Sequence, residues 1–303
     1  SSEKWTAMNK NLTYEPDPKR ILIPVLKTKE GGQRTELEQK PGLCFKVAET
    51  PDELEQAFNL AYRAFANAGL HQPSECRYRL SKYNLVPSTK VIIAIAPPRL
   101  HAVTKEAGLI QASGKVVATA TLVKDSGLGL PMEGVCAEFI GKLRTEHRVA
   151  AQIMALAVEP AYRGLKTLKG LFQCLTRVAV NSEVTDLGIS VQQEHIHFYQ
   201  EVLAFHSVGE LKPYVHGNNR LHQAMFCDHG QFAKLKISNG LSSSVLDMAL
   251  PILPTSIAAN IEKVRHLLTL DQSLLESMTQ NDIQVLERLY GHLLYEMHQH
   301  LAA

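Results

Sequence analysis

The stretch from Ala150 to Phe205 constrains this chain more than any other. Ala150-Ala151-Gln152-Ile153-Met154-Ala155-Leu156-Ala157-Val158 is an apolar run of strand length, and Glu159-Pro160-Ala161-Tyr162-Arg163-Gly164 is a basic turn. The apolar spacing then predicts a helix from about Thr167 to Val180 and a short strand from Asp186 to Val191. An aromatic helix follows through Glu194-His195-Ile196-His197-Phe198-Tyr199 towards Leu203-Ala204-Phe205. Together these form one βαβα unit, whose first helix start can receive an anionic or amide-rich ligand.

Size and charge narrow the partners. The 303 residues suffice for one large domain or two ordinary ones. A formal net charge of +2 argues against a broad nucleic-acid surface, which needs a concentrated basic excess. Cys44, Cys76, Cys136, Cys174 and Cys227 are odd in number, far apart and without a CxxC pair. They read as reduced thiols of a cytoplasmic protein, not as disulfides or zinc ligands. No apolar run is long enough for a membrane span, and Ser1 to Lys10 is polar with no signal-peptide core.

The remaining chain divides in three. Residues 1–42 carry Pro16, Pro18, Pro24, Gly31, Gly32, Pro41 and Gly42 and are expected as an extended arm. Residues 43–230 hold the main domain. Leu43 to Ala48 is a first strand, and Thr50-Pro51-Asp52-Glu53 carries a capping box that starts a helix with Leu54, Ala57, Phe58, Ala61 and Phe65 facing the core. His71 to Leu85 is irregular, Lys90 to Ile95 is a strand, and His101 to Ala107 reads as an insertion. Gly108 to Gln111 and Val116 to Leu122 make a hairpin, Asp125 to Met132 a glycine-rich loop, and Glu138 to His147 a helix. Ala204 to Glu210 and His222 to Asp228 are two closing strands. Residues 231–303 form a connector and a helical appendage over Ser256 to Leu268, Asp271 to Met278 and Asp282 to Leu301. Leu286, Leu289, Leu293, Leu294, Met297 and Leu301 share one face, for the main domain, a twin chain or a partner. His292, His298 and His300 lack metal-ligand spacing and read as solvated surface, so no metal is expected.

The order strand, helix, paired strands, long strand, helix, strand, helix, two strands resembles the GCN5-related N-acetyltransferase (GNAT) fold. That is an α/β (α+β) architecture with a mixed, mostly antiparallel sheet flanked by helices. Val158 to Gly164 resembles its strand-to-phosphate-loop junction. The glycine-rich loop of that family would continue with small residues, but here it reads Arg163-Gly164-Leu165-Lys166-Thr167-Leu168. Side chains there crowd the backbone approach of a pyrophosphate. Tyr62-Arg63-Ala64-Phe65 resembles a signature of autoinducer synthases. Asp125-Ser126-Gly127-Leu128-Gly129-Leu130-Pro131-Met132, Leu156-Ala157-Val158 and His195-Ile196-His197-Phe198-Tyr199 are similar, in order, to the long-chain N-acyl amino acid synthases of the FeeM type.

The resemblance implies an N-acyltransferase that moves a long-chain acyl group to the amine of an amino acid or similar small amine. No tightly bound cofactor is implied. The donor is an acyl-phosphopantetheine thioester on acyl carrier protein, with acyl-CoA as a second possibility. Arg163, Lys166, Lys169 and Arg177 would meet the carrier, although such charges also suit an ordinary solvated helix face, and Gly164 would bind the donor at the phosphate-loop position. Backbone amides at Ala155, Leu156, Ala157 and Val158 would face the thioester. His195 is the first candidate general base and Tyr199, four residues on, the candidate donor to the leaving sulfur. The plain alternative makes His195 a cap and Tyr199 core. Gln152 stands where relatives carry an acidic residue, which turns attention to Glu138, Glu146 or His195 as base. Arg63, Phe65 and Asp125 are candidate substrate contacts, and Leu128, Leu130, Met132, Phe139 and Leu143 candidate walls of an acyl tunnel. Other readings are an acetyl-CoA-dependent acetyltransferase and a non-catalytic acyl-binding sensor. A homodimer through the C-terminal helices is a further expectation.

Overall fold

The computed structural model describes residues 12–14, 26–28, 42–72, 74–97, 114–228 and 257–291. Strands β1 (Leu12–Tyr14) and β2 (Leu26–Thr28) pair antiparallel in a ribbon of their own. Then follow β3 (Cys44–Val47), α1 (Pro51–Asn67), β4 (Lys90–Ala96), β5 (Lys115–Lys124), α2 (Glu133–Thr145) and β6 (Ala150–Val158). The order continues with α3 (Leu165–Asn181), β7 (Asp186–Gln192), α4 (Ile196–Leu203), β8 (His206–Tyr214), β9 (Arg220–Asp228), α5 (Ile257–Leu270), α6 (Ser273–Glu276) and α7 (Gln280–Tyr290). The expected insertion at His101 to Ala107, the strand at Gly108 to Gln111 and the residues beyond Gly291 lie outside the described residues.

Seven strands form one sheet in the order β3-β4-β5-β6-β7-β9-β8, antiparallel throughout except for the parallel pair β6–β7. The middle strands are buried on both faces, which is why their sequences run apolar without alternation. One face carries α1, α2 and the C-terminal helices; Leu54, Phe58, Ile93, Ile140, Leu143, Leu267 and Leu286 share its core. The opposite face carries α3 and α4, with Ile92, Leu122, Leu171, Leu175, Val178 and Phe198. At the start of α1 the Thr50 hydroxyl accepts from the Glu53 amide at 3.2 Å, and the Glu53 carboxylate accepts from the Thr50 amide at 3.3 Å. These reciprocal bonds complete the capping box.

Three boundaries differ from expectation. Helix α2 starts at Glu133 rather than Glu138, because the first turn follows directly on the loop and kinks at Cys136. Strand β8 runs on to Tyr214, and β9 begins at Arg220. Most of β8 is exposed at the sheet edge, so its sequence carries no apolar alternation, and pairing to β9 alone defines it.

The C-terminal helices belong to the same body. Val264, Leu267, Leu268, Leu274, Leu286 and Tyr290 enter the core beside α1. Lys82 Nζ lies 2.6 Å from Asp282 Oδ1, and the Tyr290 hydroxyl donates to the Leu85 carbonyl. Leu286 is therefore spent within the chain, whereas Leu289 is exposed. No helix among the described residues is long and apolar enough to cross a membrane.

Candidate active site

The sheet opens at β6. Its ladder to β7 runs from Ala150↔Asp186 to Ile153↔Ile189 and stops there, so from Met154 onwards β6 has no partner on that side. On the other side, Thr121 pairs with Met154 but Thr119 pairs with Ala157. Two residues, Ala155 and Leu156, thus stand opposite Ala120 alone. This β-bulge puts Ala155 at φ 51°, a left-handed conformation that a small side chain tolerates better than a branched one.

Two cavities meet at the bulge. The smaller, about 100 Å³, fills the opening between β6 and β7 and is lined by Gln152 to Leu156, Ile189 to Gln192, His195, Tyr199, Tyr214, His216, Gly217 and His222, with Phe65, Leu70 and Arg79. The larger, about 290 Å³, lies between the bulge, the irregular segment and the turn after β8. Its walls include Leu70, His71, Arg79, Ser81, Asn84, Thr121, Val215 and His216. Leu70, Arg79, Met154, Ala155 and His216 line both cavities.

Four groups set the chemistry of the opening. Gln152 is buried; its Oε1 accepts the Met132 amide at 2.8 Å and its Nε2 donates to the Tyr214 hydroxyl oxygen at 3.0 Å. The amide therefore ties the end of the glycine-rich loop to the cavity wall. Tyr199 sits with its ring edge-on to Phe198 and Phe205 at 5.5 and 5.8 Å, and burial raises its hydroxyl pKa. His222 has its Nδ1 2.9 Å from the Arg220 carbonyl oxygen. A carbonyl only accepts, so Nδ1 carries the proton and Nε2 of the neutral ring is left basic. Burial lowers the His222 pKa, with the Arg220 carbonyl opposing, and Gly217 leaves room for the ring: a Cβ there would meet His222 Cε1 at 2.2 Å. His216 stacks edge-on to Tyr214 at 5.5 Å, and burial, with Arg79 and Lys82, pushes its pKa down to about 4.

The structure brings Phe65, Gln152, Ala155, Leu156, His195 and Tyr199 to the opening. Ala157 and Val158 continue β6 past the bulge, buried and paired to β5. Gly164 precedes α3, Arg163 is half-buried, and Lys166 and Lys169 project from the helix surface. Other candidates lie elsewhere. Arg63 pairs with Glu159 at 2.7 Å and donates to Asn59 at 3.0 Å, outside both cavities. Glu138 is exposed on α2, and Glu146 pairs with Lys142 and Arg148, each at 3.8 Å. Asp125 accepts two bonds from Arg144 at 2.7 Å, and Arg144 also pairs with Glu133. Leu128, Leu130, Met132 and Leu143, with half-buried Phe139, fill the core beneath that loop and line neither cavity. His71, Arg79, Tyr214, His216 and His222 escaped the sequence reading. Their signal was weak: a basic residue in an irregular segment, and rings flanking the turn before the last strand. Among the described residues no group of three His, Cys, Asp or Glu is placed to hold a metal.

A mostly antiparallel sheet that opens beside a bulged strand, with a helix start at that strand's end, defines an acyltransferase of the GNAT fold. The chain belongs to the N-acyl amino acid synthase FeeM family, whose profile matches residues 56–228, and it is an enzyme transferring an acyl group onto an amine. Among solved structures it is similar to FeeM, an N-acyl amino acid synthase from uncultured soil microbes, at 18% identity and TM-score 0.52, over 64% of this chain and 94% of that one. A CoA-dependent acyl-homoserine lactone synthase, BjaI, matches at 14% identity and TM-score 0.44, over 67% and 92% of the two chains. An acyl-CoA N-acyltransferase from Pseudomonas aeruginosa matches at 16% identity and TM-score 0.41, over 61% and 99%. No curated protein matches this sequence.

Proposed function

We propose that this enzyme joins a long-chain acyl group, delivered as a phosphopantetheine thioester on acyl carrier protein, to the amine of an amino acid. The carrying observation is the opening between β6 and β7, with a cavity at the Ala155 bulge and a basic helix start beyond the strand end. A pantetheine arm lying in that opening carries its thioester carbonyl to the bulge. There, backbone amides between Met154 and Val158 stabilise the developing oxyanion. Leu165 and Lys166 replace the small residues that a pyrophosphate would require, and exposed Lys166 and Lys169 suit an acidic carrier surface.

The amine nitrogen attacks the carbonyl carbon, the carbon–sulfur bond breaks, and the sulfur leaves with its electron pair. A base must take the amine proton and an acid must meet the sulfur. His195 and His222 both line the opening, and the fixed tautomer of His222 presents a free basic nitrogen. Tyr199, whose hydroxyl burial keeps protonated, is the acid. Gln152 takes no proton; it positions Tyr214 and the loop. For a homodimer through the C-terminal helices, Leu286 is not available, being buried within the chain, whereas Leu289 is exposed; light scattering tests that dimer.

The direct test supplies acyl carrier protein and CoA thioesters of graded length with a set of amino acids and seeks N-acyl products by mass spectrometry. Carrier-linked long chains should give the highest kcat/KM. A preference for CoA thioesters would overturn the donor, and absence of any amide product would overturn the reading as a whole.

A further inference from the structure

Arg79 is 9% exposed, and its guanidinium carbon lies 4.0 Å from the centre of the Phe65 ring. Its Nη2 donates to the His216 carbonyl at 2.6 Å, and its Nη1 lies 3.1 Å from His71 Nδ1. No carboxylate pairs with it among the described residues, whereas Lys82 and Arg148 face Asp282 and Asp186. Arginine only donates, so His71 Nδ1 is the acceptor and the proton of the neutral ring sits on Nε2. Burial and the neighbouring Arg79 lower the His71 pKa, with Asp271 opposing, which keeps that ring neutral. Arg79 Nε and His71 Nε2 are both buried donors without a partner. A buried cation beside two unmet donors is unfavourable in an empty protein and becomes favourable once an anion with two acceptor oxygens arrives.

Both residues line the larger cavity, and Arg79 also lines the opening at the bulge. We infer that Arg79, assisted by His71, anchors the carboxylate of the acceptor, so that the enzyme selects α-amino acids over simple amines. This rests on the amine-acceptor half of the proposed function and adds the residues that recognise it. An α-amine stands two bonds from its carboxylate carbon. Gripping the carboxylate at Arg79 therefore holds the nitrogen close to Met154 and Ala155, the two β6 residues among those that line both cavities.

Two measurements on the full chain test the assignment. Calorimetry compares N-dodecanoyl-phenylalanine with N-dodecanoyl-phenethylamine, probes that differ only by the carboxylate. The acid should bind about 30-fold more tightly or better, as expected for a buried charge pair, and Arg79→Gln should equalise the two. Equal binding to the unaltered protein overturns the inference, and needs no variant that must fold. In the turnover assay, phenylalanine should be preferred to phenethylamine, and Arg79→Gln should raise the KM for the amino acid with little change in donor KM. Amide formation from both acceptors at equal kcat/KM overturns the anchor while leaving the acyltransferase reading intact. Preferential binding of the acid without any amide product supports the anchor and counts against the catalytic reading.

Discussion

The glycine-rich loop and the wall of the cavities use charge in opposite ways. In the loop, Asp125 is met by Arg144, Arg144 also by Glu133, and the Glu133 carboxylate accepts the Leu130 amide at 3.1 Å. Gly129, at φ 71°, lets the chain turn against that carboxylate. Charge is matched by charge, and the result is a rigid support under the open strand. Across the bulge, Arg79 and His71 keep unmet donors, and three more rings of shifted pKa stand nearby. Satisfied polar groups hold the fold, while unsatisfied ones beside a cavity wait for a ligand.

Substitutions can break that contrast, and their stability effects should descend in a set order. Gln152→Leu should cost the most, about 3 kcal/mol in denaturant unfolding, because it orphans the buried Met132 amide and the Tyr214 hydroxyl together. Acid comes next. His216 is neutral when folded, with a pKa of about 4 against an ordinary 6.5, so the unfolded chain binds the extra proton between those values. Its contribution is fully present above pH 6.5 and is lost as the pH falls towards 4, by roughly 2–3 kcal/mol. A His216→Phe variant should flatten that part of the pH–stability curve.

Asp125→Asn should cost roughly 1–2 kcal/mol, discounted because the Arg144 side chain is 42% exposed, and should leave turnover per folded molecule unchanged. Arg79→Gln should alter stability by less than about 1 kcal/mol, since the lost contacts are offset by removing an uncompensated buried charge. Acceptor recognition should nonetheless collapse in that variant. If Asp125→Asn impaired acceptor selection as strongly as Arg79→Gln, the division between support and site would fail. Tyr199→Phe sharpens it further: thermal unfolding should barely move, while kcat should fall by about 10–100-fold if the hydroxyl serves the leaving sulfur.

Local order was legible in the letters because its causes are local. Thr50 and Glu53 lie within one turn of each other, and their capping box followed from spacing alone. The run from Ala150 to Val158 and the helix after it showed themselves through apolar pattern, and the ordered motifs pointed to the FeeM family that the profile match establishes. Less of the site could be read. His195 was chosen because imidazole titrates near neutrality and Tyr199 through the family resemblance; both line the opening, although His195 precedes the helix that carries Tyr199. Arg63 has the residue type of an anion ligand, but its neighbour in space is Glu159, 96 positions away.

What apolar pattern determined by itself, then, was the order of strands and helices and the strand at their centre; the kind of fold came from the resemblance that this order and its motifs carry. Tertiary structure decided where β6 bulges, which edge β8 occupies, that α5, α6 and α7 pack into the core beside α1, and that α7 closes over the Lys82 segment. It also decided which cations keep a free donor. The physical reason is reach: backbone pattern reports contacts a few residues apart, whereas the state of a buried charge depends on every segment the fold carries to it. Arg79 meets Phe65, His71 and His216 only because a helix, an irregular segment and a turn after an edge strand converge on one bulge.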